Sequence, residues 1–409
     1  MRSSAHTPCR IATLGMISAL GVGTDRAQLL ERACSGDRSH MRPITTPISK
    51  RATMIGEAAR DLCAVPDRLA VYESRNARLV YAAYLQIECE VRNAVERYSS
   101  ERVGVVIGSS TSGIAATEES LLALRRNGIR PPGYSYTPQE MGSTAELVAA
   151  AAQVGGVRYT ISTACSSSAK VFQAGRSLLE SGMCDAVIVG GSDSLCAMTL
   201  EGFGALELLA AEGTNPFSKN RAGINVGEAA TLFLLTRDAG GVQLLGCGEA
   251  SDAHHISAPE PSGRGALSAM RAALDDSGLG PEAIHYLNLH GTGTPANDRM
   301  ESLAVHAAFP KGVACSSTKP LVGHTLGASG GLEIGLCWLA LDAYLTTGEL
   351  RLPRHCFDGE FDPELPALDL VTAPRVVRPP GRALCMSNSF GFGGSNCSVV
   401  LGGESGGAP

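Results

Sequence analysis

No stretch of the 409-residue chain approaches the roughly 20 apolar residues that a membrane span requires. Met1 to Arg10 is polar and lacks the apolar core of a secretory signal. Positive charge is not in excess. The formal net charge is −6, which argues against a general nucleic-acid binder. None of the thirteen cysteines falls in a C-x-x-C pair or at zinc-ligand spacing. Their odd, scattered count without a signal fits reduced thiols in the cytoplasm. His254-His255 has no carboxylate or cysteine partner at ligand spacing, so no metal is expected and the pair reads as structural. The glycine-rich runs Gly391 to Gly394 and Gly323 to Gly331 lack the G-x-x-x-x-G-K-[ST] order, so neither calls for a nucleotide.

The composition, 44% hydrophobic, is that of an ordinary globular protein, and the length implies one large unit or two fused ones. Short β-branched runs alternate with longer helical patterns. Strands are expected at Val103–Ile107, Val157–Ile161, Ala186–Val189 and Thr231–Leu235. A second group is expected at Val242–Leu245, Ile284–Leu289, Ala383–Met386 and Cys397–Leu401. Helices are expected at Ser74–Val95, Ser166–Ser181, Gly265–Ser277 and Gly330–Thr346. The order implies an α/β protein with mixed sheets covered by helices. Gly402 to Pro409 reads as a disordered tail.

Three motifs carry chemistry. In Ile161-Ser-Thr-Ala-Cys-Ser-Ser-Ser-Ala169 an apolar run ends in small residues and a helical pattern begins at Ser166. Cys165 therefore sits at a strand-to-helix turn, where backbone N–H groups and the helix dipole are expected to lower its pKa. A thiolate there is a candidate nucleophile. Most buried cysteines are inert, so the position is informative only in company. Company comes from His290-Gly-Thr-Gly-Thr-Pro295 and from Lys319-Pro-Leu-Val-Gly-His-Thr-Leu-Gly-Ala-Ser-Gly-Gly331, which places His324 among glycines. Each histidine lies where backbone can approach a ligand closely.

This Cys-His-His set resembles the triad of the β-ketoacyl-acyl-carrier-protein synthases. Further stretches resemble the same family: Asp185 to Gly191, Gly223 to Ala230, Ser251-Asp-Ala-His-His255, and Asn388 to Asn396. The likeness runs from about Arg10 to Leu401. It implies a thiolase fold, a duplicated αβαβα five-layer arrangement with mixed sheets. The nucleophile half is expected at 1–240 and the histidine half at 241–401. The implied reaction is a decarboxylative Claisen condensation. An enzyme-bound acyl group joins malonyl-acyl carrier protein to give a 3-oxoacyl-acyl carrier protein two carbons longer. No cofactor is implied, since substrates ride on the phosphopantetheine arm of acyl carrier protein.

The resemblance also assigns roles. Cys165 is the nucleophile, and the backbone N–H groups of Cys165 and Phe392 form the oxyanion hole. His290 and His324 donate to the malonyl thioester oxygen as the enolate forms. Lys319 and Glu333 organise the histidines, and Thr292 and Thr294 bind pantetheine, although turn-forming threonines would look the same. Phe203 and Phe392 wall the acyl pocket with Thr111. Arg75 and Arg78 lie near the family's carrier-docking positions; Arg125 and Arg126 are a second candidate pair. The implied assembly is a homodimer, or a heterodimer with a homologous chain-length-type subunit.

Departures are local. The chain has Asn215-Pro-Phe-Ser218 where the family commonly has R-P-F-D, and Ala222 stands where an aspartate is expected. Thr111, Tyr134, Tyr136 and Glu146 fall where saturated-chain synthases carry mostly apolar pocket or dimer-contact residues, which implies a more polar acyl tunnel. The runs at Cys165 and Ser192-Asp-Ser-Leu-Cys196 resemble condensing enzymes of aryl-polyene clusters. A thiolase would need a C-x-G cysteine in the loop at Asn388 to Asn396, which has none; an initiating synthase would have asparagine where His324 stands. A non-catalytic chain-length partner would lack Cys165.

Overall fold

The computed structural model of the chain describes residues 8–131 and 134–404. Ten strands make two five-stranded arrays. The first comprises β1 (Arg10–Ser18), β2 (Val103–Gly108), β3 (Arg158–Ile161), β4 (Ala186–Asp193) and β5 (Ala229–Thr236). The second comprises β6 (Val242–Ser251), β7 (Tyr286–Asn288), β8 (Ala314–Ser316), β9 (Arg382–Gly391) and β10 (Ser395–Glu404). The spatial order is β3-β2-β4-β5-β1 in one and β8-β7-β9-β10-β6 in the other. Directions match as well. The first three strands of each order run parallel, and the last two pairings are antiparallel. The same topology therefore occurs twice. The arrays join where Arg10 of β1 pairs with Gln243 of β6, giving one continuous mixed sheet.

Eight helices position the site: α1 (Arg75–Leu85), α2 (Ile114–Asn127), α3 (Ser143–Ala152), α4 (Ser167–Glu180), α5 (Ala197–Ala205), α6 (Arg264–Ser277), α7 (Pro295–Ala308) and α8 (Ser329–Thr347). α4 and α8 pack on each other and on both arrays, forming the middle layer. α1 and α3 cover the first array, and α6, itself against α7, covers the second. This is the thiolase arrangement of five layers. α8 is apolar on every side and buried from Ser329 to Leu341, as a central helix must be. Its start crosses α4 so closely that a Cβ on Gly330 would lie 2.7 Å from the Cβ of Ala169. Gly108 is needed for the same reason, since a Cβ there would meet the Ser168 nitrogen at 2.4 Å.

The strands and helices fall where the apolar patterns place them, with two differences. The helix expected at Ser74–Val95 is broken into α1 and a second helix, Glu88–Tyr98. Gln86 at the break turns its amide onto Met16, accepting from the Met16 N–H at 3.0 Å and donating to its carbonyl at 3.1 Å. Gly402 to Glu404, expected in a disordered tail, lie in a strand. Gly402 and Gly403 pair with β6 and β9 inside β10, and Glu404 pairs with Arg382. Residues 1–7 and 405–409 lie outside the described residues.

Candidate active site

β3 and β8 hold equivalent places in the two arrays, and each leads into a central helix. The turn after β3 carries Cys165; the turn after β8 carries Lys319 and His324, and α8 itself carries Glu333. His290 follows β7. The repeat thus brings Cys165, His290, His324, Lys319 and Glu333 together where the central helices begin. Ala164, before the cysteine, has φ +52°, a left-handed conformation that a residue with a Cβ adopts only under constraint.

Cys165 Sγ lies 3.0 Å from His324 Nε2, and the Phe392 N–H also points at the sulfur. The two histidine rings meet edge-on with centroids 5.4 Å apart. Each histidine has its tautomer fixed by a donor on Nδ1. For His324 it is the Leu326 N–H at 3.3 Å, and for His290 the Lys319 ammonium at 3.4 Å. Both rings therefore carry their proton on Nε2. Burial, with the Lys319 charge, holds both well below the usual histidine range, so both are neutral N–H donors at neutral pH.

The lowered thiol pKa expected at the helix start is not found. Burial pushes Cys165 up to about 11, against the pull of Lys319 and of the Phe392 N–H. N–H groups at the helix start have acceptors of their own: Ser166 bonds Thr163, Ser167 bonds Ala164, and Ala169 and Lys170 both bond Ser166. Cys165 also precedes α4 by a full residue beyond its cap, Ser166.

Lys319 and Glu333 are each 2% exposed and form a buried ion pair. The ammonium also donates to the His290 carbonyl at 2.5 Å. Burial raises Glu333 to about 7 while Lys319 draws it down. Two further carboxylates in this network escaped the sequence reading. Glu301 accepts the N–H groups of His290 and Gly291 at 2.8 and 2.7 Å. Asp298 accepts those of Phe217 and Gly293 at 2.8 and 3.2 Å. They stand three residues apart at the start of α7, facing back onto the loop that precedes it; N-D-x-x-E after the histidine motif was the available signal. Burial raises Glu301 to about 7 and Asp298 to about 6.

A cavity of about 340 Å³ opens onto Cys165, His290 and His324. Phe203, Phe392, Thr292 and Thr294 line it, with Leu206, Leu208 and Ile224 adding apolar wall. The rings of Phe203 and Phe392 stand 5.7 Å apart. Thr292 and Thr294 bond each other at 3.0 Å, and Thr294 also caps α7 through the Asn297 N–H. Asp252 ties the wall loop to the glycine-rich loop, accepting from Asn396 Nδ2 at 2.6 Å. His255 is structural: its Nδ1 caps the N–H groups of Ser257 and Ala258. The ligand atoms of Cys165, His290 and His324 lie within 4.8 Å of one another, close enough to share a metal ion.

Several expected site residues are placed elsewhere. Thr111 does not line this cavity; its hydroxyl is 2.9 Å from Asp193, which also collects Ser109, Ser110 and the Gly327 N–H. Tyr134 packs under Arg130, Tyr136 is 57% exposed, and Glu146 pairs with Arg158 at 2.8 Å. None of these four lines the cavity. Arg75 is bound to buried Glu228 at 2.6 Å and Arg78 to Glu73 at 2.5 Å, so neither offers an unpaired charge to an acidic carrier. Glu228 instead knits the region, accepting also from the Ala58 and Leu195 N–H groups. Arg125 and Arg126 are exposed in the last turn of α2, where they complement the helix dipole.

A thiol at a strand-to-helix turn, two Nε2–H donors and a buried Lys-Glu pair around one apolar cavity define a thiolase-fold acyltransferase. Residues 75–240 match the N-terminal domain of the β-ketoacyl synthases and residues 242–349 the C-terminal domain. The chain belongs to the β-ketoacyl synthase family. It is 30% identical to nodulation protein E of Rhizobium sp. (strain N33) over 96% of this chain and 98% of that one. It is 29% identical to 3-oxoacyl-[acyl-carrier-protein] synthase 2 of Synechocystis sp., over 96% and 97%. It also resembles a chain in the solved complex of the ketosynthase ApeO with its chain length factor ApeC from Xenorhabdus doucetiae. That likeness is 40% in identity, covers 98% and 99%, and has a TM-score of 0.91. The chain is accordingly a condensing acyltransferase of the elongating kind.

Proposed function

We propose that Cys165, His290 and His324 divide the condensation between them, with Lys319 and Glu333 beneath. Sγ attacks an acyl-carrier thioester; the new thioester forms at Cys165, and the pantetheine thiol leaves with the proton. Malonyl carrier protein then enters past Thr292 and Thr294. Its carboxylate leaves as carbon dioxide, and the electron pair collects on the thioester oxygen as an enolate. The Nε2–H groups of His290 and His324 meet that charge; removing one such donor typically costs about 10²–10³ in rate. The enolate carbon attacks the acyl carbonyl, whose oxygen is held by the Cys165 and Phe392 N–H groups, and Sγ departs. No step calls for a metal ion or a cofactor. The single observation carrying this reading is that both histidines, fixed as Nε2–H tautomers, share the cavity with Sγ. Labelled carbon dioxide release from malonyl carrier protein by Cys165→Gln tests it: decarboxylation persists while condensation stops.

The second element of the proposal is a homologous partner subunit. β3 is an edge strand paired only with β2 among the described residues, whereas its counterpart β8 is covered by the strand Asp369–Leu370. Tyr159 on that edge is 39% exposed, and, separately, α2 buries only Thr117 while Leu121 and Leu122 face solvent. Open edges and exposed apolar faces need cover. The likeness to a chain of a ketosynthase and chain length factor complex favours a heterodimer, and the aryl-polyene-like runs at Cys165 and Ser192 to Cys196 favour a pigment-type pathway. Light scattering on the protein alone, and after expression with a candidate chain-length subunit, distinguishes homodimer from heterodimer. Competition between hexadecanoyl and polyenoyl carrier proteins tests the pathway; faster loading of the saturated chain would favour ordinary fatty acid elongation.

A further inference from the structure

We propose that His355 is a positioning residue for the decarboxylation half-reaction, holding the loop of His290 in place without touching substrate. It lies after the strand Leu350–Leu352 and is 1% exposed. Its Nδ1 accepts the Ser317 N–H at 3.1 Å, and its Nε2 donates to the Pro216 carbonyl at 3.1 Å. Because Nδ1 receives an N–H, the proton must sit on Nε2, and both ring nitrogens are used once. Burial holds its pKa near 4, so the ring is neutral at working pH and this tautomer persists. The ring is also packed, 6.0 Å from that of Phe217 and 5.2 Å from that of Phe357.

Each bond leads to the catalytic loop. On one side, the Ser317 hydroxyl donates to the Gly291 carbonyl at 2.6 Å and accepts the Lys319 N–H at 3.3 Å. On the other, Phe217, next to Pro216, has φ +63° and donates its N–H to Asp298, which also holds the Gly293 N–H. One imidazole thus joins the two segments that grip His290-Gly-Thr-Gly293 from opposite sides. The grip falls at Asn215-Pro-Phe-Ser218, the segment where an arginine and an aspartate are missing. None of these bonds reaches Cys165 or His324. His324 is held separately, its N–H on the Asn225 carbonyl at 2.6 Å and its carbonyl on the Gly227 N–H at 2.9 Å. Loosening His355 should therefore disturb the His290 donor and spare acylation.

The inference rests on the condensing activity, and the test separates the two. His355→Phe keeps the ring and removes both hydrogen bonds. Carbon dioxide release from malonyl-loaded carrier protein should fall about 10–100-fold in kcat, the scale of a misplacement near one ångström, with little change in KM. Hexanoyl transfer from carrier protein to Cys165, read by intact mass, should stay within about threefold of wild type. His355→Asn, whose amide oxygen restores an acceptor for the Ser317 N–H, should regain part of the lost rate. Ser317→Ala, which cuts the same chain one bond further on, should show the same split. Unchanged carbon dioxide release in either folded variant overturns the proposal. So does an equal fall in both half-reactions, or failure of both His355→Phe and Ser317→Ala to fold, since the ring would then be architectural. A wild-type protein that releases no carbon dioxide would overturn the condensing reading instead.

Discussion

Alkylation of Cys165 should switch on late as pH rises. Burial raises the thiol from 9.0 to about 11. At pH 8 a thiol of pKa 9 is ~10% ionised, whereas one at 11 is ~0.1%, a deficit of about a hundredfold in the reactive form. The Lys319 charge and the Phe392 N–H partly offset burial, and the Nε2–H of His324 lies 3.0 Å from the sulfur, where it would donate to a thiolate. A hydrogen bond to a charged group contributes about 1.5–3 kcal/mol, so His324→Ala should slow alkylation at fixed pH by a further ~10–100-fold. The assay is the initial rate of iodoacetamide labelling at Cys165, followed by peptide mass from pH 6 to 10.5. The rate should rise about tenfold per pH unit through pH 9, without a plateau. A plateau reached by pH 8 would mean a resting thiolate and would refute the argument that burial dominates this site.

His290→Ala and His324→Ala should still accept an acyl group but lose carbon dioxide release from malonyl carrier protein by about 10²–10³ each; full turnover in either would contradict the donor role. Glu301 is raised by burial from 4.5 to about 7. Its contribution to stability is full below pH 4.5 and is lost as pH rises through about 7, a change of about 3 kcal/mol. Urea unfolding of wild type and Glu301→Gln at pH 5 and pH 8 should show that share of the slope missing from the variant; parallel slopes would contradict it. Lys319→Met strands Glu333 and should cost no more than about 3–5 kcal/mol, less where the carboxyl takes up a proton, and Lys319→Met with Glu333→Gln should recover part of it in the same unfolding assay.

Periodicity located the strands and helices because both faces of the sheet are covered, leaving near-continuous apolar runs such as Val103–Gly108 and Ala229–Thr236. It could not show that the two arrays share one strand order, since order is set by crossovers rather than by any local residue pattern. The two histidines were legible because glycines and threonines crowd around each, and Cys165 because it falls where an apolar run gives way to a helical pattern. Glu301 and Asp298 were marked only by N-D-x-x-E after the histidine motif, a spacing that a solvated first helical turn shares, so their turn onto backbone N–H groups was not readable. The bond of Thr111 to Asp193 was not legible because the two are distant in sequence. The raised Cys165 pKa was not readable because its first cause, burial of the thiol, is set by tertiary packing rather than by the local strand-to-helix pattern. The break after α1 depends on Gln86 meeting the backbone of Met16, a contact invisible from the helical pattern.

Intact-mass spectrometry addresses the nucleophile and the reaction together. The protein is incubated with a panel of acyl-loaded carrier proteins and then with malonyl-loaded carrier protein. One acyl adduct should form on the peptide bearing Cys165, and it should disappear when the malonyl carrier is added, with a 3-oxoacyl carrier two carbons longer appearing in step. Cys165→Ala should show neither event. An adduct on another cysteine, condensation by Cys165→Ala, or no adduct with any carrier, alone or with a candidate chain-length subunit added, would contradict an elongating synthase that works through Cys165.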